Sequence, residues 1–201
     1  MRTVRAVLCA IFFGVALSLC CTCIFAATVQ EYIDRGNENR AKKDYDAAIA
    51  DYTDALTADP ANPVSYNVRG YTYLLKEDYK NAIADFDRAI DLDPGYVKAY
   101  FYRGVANSSE GNLDKSIDDY TKAIDIDPTF SYAYYNRGLI YYCTEQYAQA
   151  FEDYRQAVDL NPDAKEAYNG FLQYVPQKNA SDTQNVREEI LKLMEEAMSR
   201  S

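Results

Sequence analysis

Histidine is absent from all 201 residues. That removes at once the commonest general base and the commonest metal ligand. Of the five cysteines, only Cys143 lies beyond the first 23 residues. Once the N-terminal segment is gone, no disulfide can form within the chain, and Cys143 reads as a small buried hydrophobe, with pairing between chains as the alternative. Positive charge is also short: 21 Lys and Arg stand against 31 Asp and Glu, a net of −10. An acidic chain repels phosphate backbones and anionic headgroups, which argues against nucleic acid as a partner. No nucleophile–base pair, metal cluster or phosphate-cradling loop can be drawn, so the chain reads as a non-enzyme with no cofactor and no metal.

What the chain has is repetition. From Ser131 to Ala164, the residues Tyr134, Arg137, Gly138, Tyr141, Ala150, Tyr154, Ala157 and Pro162 stand at fixed offsets. One step of 34 residues back, the same offsets read Tyr100, Arg103, Gly104, Asn107, Ser116, Tyr120, Ala123 and Pro128. Two further steps give Tyr66, Arg69, Gly70, Tyr73, Ala82, Phe86, Ala89, Pro94, and then Tyr32, Arg35, Gly36, Asn39, Ala48, Tyr52, Ala55, Pro60. A period of this size marks an array of small supersecondary units. Within each copy, Tyr, Gly and the next signature residue fall at helical spacing, and a second helical pattern follows after a short break. The small residues let the two helices approach closely while the tyrosines fill the space around them. The proline cannot continue a helix and ends the second one.

These residues resemble the tetratricopeptide repeat, with Tyr at the usual Trp position and Arg at the usual Leu. The resemblance covers about Val29 to Ala164 and implies an all-α fold, a right-handed superhelical solenoid of antiparallel helix pairs. The expected divisions are a leader over 1–27, repeats over 29–62, 63–96, 97–130 and 131–164, and a degenerate fifth copy with C-terminal capping helices over 165–201. Nine or ten helices are expected after residue 28. Each pair buries its apolar face on its neighbours rather than in a single core. The fold alone says little about function. One known member type holds a chain-terminal carboxylate with Lys and Asn, then Asn, then Lys and Arg, from three successive repeats. At those places Asn37 and Lys98 match, but Ile33, Val68 and Tyr102 do not; a register starting one repeat later fits no better. The resemblance therefore implies no carboxylate clamp.

The N-terminus has Arg2 and Arg5 before an apolar run from Ala6 to Ala27, the form of an export signal. Three fates are open: cleavage near Ala27, lipidation at Cys21 or Cys23, or retention as an anchor long enough to span a bilayer. Each puts the repeats outside the cytoplasm, in a periplasmic, secreted or membrane-anchored location. Membrane contact is then confined to the leader.

At about 100° per residue, repeat positions 2, 5, 9 and 12 share one face of each first helix. By resemblance to the family, this face lines the concave surface. It carries Asn67 and Tyr71 in the second repeat, Lys98 and Phe101 in the third, and Tyr132, Tyr135, Leu139 and Tyr142 in the fourth, with Asn169 from the next helix. The expected function is a scaffold that holds a peptide or protein partner in this aromatic groove. The alternative is an accessory that binds a small hydrophobic or sugar-like ligand for an envelope transporter. Position 7 points away from the groove, toward the second helix, where an Asp recurs. The pairs Arg35/Asp51, Arg69/Asp85, Arg103/Asp119 and Arg137/Asp153 are thus expected to be structural. Near the C-terminus, Val186, Ile190, Leu193 and Met194 form an apolar stripe within 182–199. It suits a lid on the fourth repeat and a monomeric chain, with a dimer seam as the alternative. Two N-glycosylation patterns, at Asn107 and Asn179, complete the short motifs.

Overall fold

The computed structural model describes residues 29–161. The leader with Cys21 and Cys23, Asn169, and the expected fifth copy and capping helices of 165–201 lie outside the described residues. Among the described residues all regular structure is helical: α1 (29–41), α2 (Tyr45–Ala58), α3 (Pro63–Leu75), α4 (Tyr79–Leu92), α5 (Val97–Ser109), α6 (Leu113–Ile126), α7 (Ser131–Cys143) and α8 (Tyr147–Leu160). Each 34-residue copy supplies one pair of helices.

The same local chemistry ends the first helix of every copy. A backbone N–H reaches back five residues in each turn: Asp44 to Asn39, Asp78 to Tyr73, Asn112 to Asn107 and Gln146 to Tyr141, at 2.7–2.9 Å. This is the Schellman closure, which requires one left-handed residue. That residue is Lys43, Glu77, Gly111 and Glu145 in turn, with φ between 61° and 82°. Only the third copy places a glycine there, so the other three hold a side chain in a conformation that disfavours it. The next residue opens the second helix. Asp44 and Asp78 each accept a hydrogen bond at the helix start, from the backbone N–H groups of Ala47 and Asn81. The second helices of the first three copies then stop at an extended Asp59, Asp93 or Asp127 and that of the fourth at Asn161, each just ahead of a proline that disfavours helical backbone before it.

Helices α1–α4 fall in one compact unit and α5–α8 in another. In the first unit α3 packs on both α2 and α4, and Val29 and Ile33 of α1 join Ala55 of α2 in a buried cluster. In the second, α5 packs on α6, α6 on α7, and α7 on α8. The signature explains the close approach within each pair. A Cβ added at Gly104 would stand 2.7 Å from the Tyr120 ring, and one at Gly70 would stand 2.9 Å from Phe86. The rings are fully enclosed: Tyr52 and Phe86 are 0 % exposed and Tyr120 is 1 %. Alanines 48, 55, 82, 89, 123 and 157 are buried around them.

Two readings of the sequence need correcting. Cys143 is exposed rather than buried, because it is the last residue of α7 and lies where the chain turns into α8. Asn107 is buried, and its side chain bonds to Asp119, so the folded chain has no room for a glycan there.

Candidate functional site

The four arginine–aspartate pairs all form between the two helices of a copy. Arg69 donates from Nε and Nη2 to the two oxygens of Asp85 at 2.8 Å each. Arg137 does the same to Asp153 at 2.8 and 2.7 Å. Arg103 reaches Asp119 Oδ1 from Nε at 3.0 Å and from Nη2 at 2.6 Å. Arg35 reaches Asp51 Oδ1 from Nε at 2.5 Å, and it is the most open of the four, with its side chain 54 % exposed.

Each pair has a further side-chain support. In the first and third copies an asparagine completes the carboxylate: Asn39 Nδ2 donates to Asp51 at 2.7 Å, and Asn107 Nδ2 to Asp119 at 2.9 Å. In the second and fourth copies the arginine donates from Nη1 to a threonine on the preceding second helix: Arg69 to Thr53 at 3.0 Å and Arg137 to Thr121 at 2.9 Å. The sequence carried this signal as Asn39/Asn107 and Thr53/Thr121, each pair 68 residues apart. The 34-residue comparison passed over it. The hydrogen bonds they donate to the Asp85 and Asp153 carboxylates raise the pKa of Arg69 and Arg137 above the usual arginine value. Burial pushes the Asp85 carboxyl upward, while Arg69 pulls it back toward the ionised form. The arginines also stack on neighbouring tyrosines, such as Arg103 over Tyr100 at 5.5 Å and Arg137 over Tyr134 at 5.8 Å. This ladder ties helices together and keeps its guanidinium groups for that purpose.

In the second unit, the face read from positions 2 and 5 comes together as a cluster of rings. Phe101 of α5 meets Phe130, in the turn before α7, edge to face, with centroids 5.2 Å apart and planes at 86°. Tyr132 lies 5.8 Å from Phe130 and 6.4 Å from Phe101. Phe101 also touches Tyr102 at 5.3 Å and rests on the buried Tyr120 at 5.8 Å. Tyr132 is 58 % exposed, whereas Phe101, Tyr102 and Phe130 are half-buried. Lys98 is exposed on the same helix as Phe101. Further along α7, Tyr135 touches Tyr154, Tyr142 meets Tyr147 edge to face, and Leu139 is half-buried. Burial raises the pKa of Tyr135 and Tyr142, so both hydroxyls stay protonated. Phe130 and Tyr147 escaped the sequence reading because they sit in or beside turns, off the helical face being counted.

The first unit is less open. Asn67 is only 5 % exposed, and its Oδ1 is enclosed without a hydrogen bond, so this residue packs inside rather than lining a surface. Tyr71 lies under the Arg40 guanidinium at 5.2 Å. Arg40 is steadied by Asn37, whose Oδ1 accepts from Arg40 Nη2 at 3.0 Å and from the Tyr52 hydroxyl at 2.9 Å. Ile33, which falls at a clamp position, is buried. Among the described residues, no group of three or more Cys, Asp or Glu could hold a metal ion, and no helix is long and apolar enough to cross a membrane.

Helix pairs repeated every 34 residues, a small residue facing a ring in each, define an all-α repeat protein of the solenoid class. The chain belongs to the tetratricopeptide repeat family: models described as "Tetratricopeptide repeat" match residues 33–97 and 131–164, and one described as "TPR repeat" matches 108–144. Among solved structures it is similar to the MamA protein, with 28% identity over 87% of this chain and 92% of that one, at a TM-score of 0.69. It is similar to the first TPR of Spaghetti (RPAP3) bound to the HSP90 peptide SRMEEVD, at 28% identity, 59% and 94% coverage, and a TM-score of 0.58. It is also similar to the second TPR domain of human RPAP3 in complex with the HSP70 peptide SGPTIEEVD, at 31% identity, 58% and 95% coverage, and a TM-score of 0.54. No curated protein sequence matches the chain.

Proposed function

We propose that this chain is a non-enzymatic interaction scaffold that works outside the cytoplasm and holds a peptide or protein segment against the tyrosine-rich faces of its first helices. The observation that carries this reading is the ring cluster of Phe101, Phe130 and Tyr132, with Tyr132, at 58 % exposure, the most open large apolar side chain among the described residues. Aromatic side chains presented on a rigid scaffold are the usual energetic anchors of interfaces. Two similar structures hold peptides, the RPAP3 domains with SRMEEVD and SGPTIEEVD. The leader supports export, with the membrane reached only through residues 1–27.

A photoreactive residue at position 132 tests the face. Installed in the full chain in its own host, it should crosslink a discrete partner. The same residue at exposed Lys122, on α6, should not. Equal capture at both positions, or at neither, counts against the reading. Intact-mass measurement of the mature chain separates a trimmed leader from an acylated Cys21 or Cys23 and from the full-length form; recovery of the repeats in the cytoplasm overturns the location.

A further inference from the structure

One arginine of the first unit stands outside the pairing that holds all the others. The described residues contain seven arginines, and six are paired with a carboxylate: four in the ladder, Arg88 with Asp91, and Arg155 with Glu152. Arg40 of α1 is the seventh. It has no carboxylate partner, although the chain is acidic, with a net charge of −10. Its contacts are Asn37 Oδ1, at 3.0 Å from Nη2, and the Tyr71 ring, at 5.2 Å.

Arg40 is nonetheless held in place. Tyr52, whose ring is fully enclosed, donates from its hydroxyl to the same Asn37 oxygen at 2.9 Å. An arginine can only donate, so its contact fixes which way the Asn37 amide faces. The Asn37 Nδ2 donor then has no acceptor among the described residues. The Tyr71 ring attracts the guanidinium without taking a conventional hydrogen bond, so Nε and Nη1 of Arg40 also keep their N–H groups unspent. Both Arg40 and Asn37 are half-buried. They stand at repeat positions 12 and 9, on the face of α1 that the periodicity assigns to the groove, and Tyr71 stands at position 9 of α3. Across positions 2, 5, 9 and 12 of these two helices there is no Asp or Glu, and Arg40 is the single charge.

A partly desolvated guanidinium with unspent donors is half of a pair, and an oxyanion offsets the cost of its burial. The planar edge of a guanidinium matches the two oxygens of a carboxylate. One guanidinium and one neutral amide balance a single negative charge, which suits a carboxylate better than a doubly charged phosphate. Asn37 matches one place of the carboxylate clamp, but Ile33, Val68 and Tyr102 fill others and Arg40 lies at none of them, so this is a separate arrangement.

We infer that Arg40, with Asn37 and Tyr71, forms a site for one carboxylate of a bound partner, the guanidinium taking its two oxygens and the Asn37 amide donating beside it. This rests on the reading of the protein as a peptide-holding scaffold and specifies one anchor of that peptide.

Nitrogen–proton NMR of the full-length protein tests it with three small probes. N-acetylglutamate α-N-methylamide carries a side-chain carboxylate, N-acetylglycine a chain-terminal one, and N-acetylglutamine α-N-methylamide none. A carboxylate probe should shift the Arg40 Nε–H and Asn37 Nδ2–H signals saturably, at least about tenfold more tightly than it shifts those of Arg88, which already has Asp91. The glutamine probe should leave both signals in place. Raising salt from about 50 to about 500 mM should weaken binding by about threefold or more. Arg40→Gln should weaken the response at Asn37 by about tenfold or more, and Arg40→Lys by about threefold or more, since an ammonium keeps the charge and loses the planar fork; Lys122→Gln on α6 should change nothing. Tighter binding of one carboxylate probe assigns the source as an acidic side chain or a chain end, and equal binding means that the site reads the carboxylate alone; each of these supports the inference. No saturable shift in the unaltered protein, an equal response to the glutamine probe, or a response that survives Arg40→Gln overturns it. Should the variants fail to fold, the comparison of the three probes on the unaltered protein decides alone. A successful crosslink at position 132 beside a silent Arg40 leaves the scaffold reading standing without this site; carboxylate binding without the crosslink leaves the site and removes the partner at position 132.

Discussion

Truncating Arg137 tests the ladder most directly. Its guanidinium holds both oxygens of Asp153 and the Thr121 hydroxyl, and the pair is well enclosed, with the Arg137 side chain 16 % and the Asp153 side chain 6 % exposed. Arg137→Ala removes three hydrogen bonds, two of them to the Asp153 carboxylate, and leaves that carboxylate where water hardly reaches. Stranding one member of a buried pair costs about 3–5 kcal/mol. Water entering along the exposed edge that Arg137 vacates offsets some of this, so we expect a loss of about 2–4 kcal/mol. Asp153→Ala should cost less, about 1–3 kcal/mol, because the arginine keeps Thr121 and can turn toward solvent. The double variant should lose less than the two single losses combined, with a coupling of about 1–2 kcal/mol. Urea unfolding followed by helical circular dichroism reads this directly: with a slope of about 1–3 kcal/mol per M, a loss near 3 kcal/mol moves the midpoint by about 1–3 M. At the open end of the ladder, Arg35→Ala should cost far less, since that side chain is 54 % exposed and water can replace it. Additive losses at 137 and 153, or an Arg35→Ala loss equal to that of Arg137→Ala, would refute the account.

Three further outcomes follow from the packing. Gly104→Ala places a methyl 2.7 Å from the enclosed Tyr120 ring; the overpacking, about 1–3 kcal/mol, should exceed the roughly 1 kcal/mol of helix propensity gained, and the loss should appear as a lower melting temperature that Tyr120→Leu partly restores. Burial pushes the Tyr120 hydroxyl up to about 12 from its ordinary 10.0. A folded-state pKa above the unfolded one means this contribution, about 2–3 kcal/mol, is intact below pH 10 and is lost as pH rises toward 12, so tyrosinate absorbance should lag and then rise together with unfolding. Glu145 sits at φ 62°, where the third copy has Gly111; Glu145→Gly should leave stability unchanged or raise it by up to about 1 kcal/mol, and a clear loss in the same urea assay would show that the turn is held by the side chain.

The sequence by itself determined the helix pairs, their boundaries and the contacts inside each copy. The reason is that these are local: an i, i+3, i+4 pattern, a left-handed turn residue, a capping Asp and a proline each act within a few positions, and four repetitions removed the ambiguity of any single one. Arg137 and Asp153 were also legible, because a charge at position 7 and its opposite at position 23 face one another in any such hairpin. The tertiary structure decided what depends on a neighbouring copy or on exposure. A position count put Asn67 on the binding face, yet packing enclosed it. Hydrophobicity put Cys143 inside, yet the end of α7 left it exposed. Thr53 and Thr121 each meet the arginine of the following copy, a contact that no pattern within their own helix encodes. Phe130, in a turn, joined Phe101 and Tyr132 only because the chain returned from α6 to set α7 beside α5's ring. Such contacts span separate helices, and no periodicity within one helix encodes which side chains will meet across the gap.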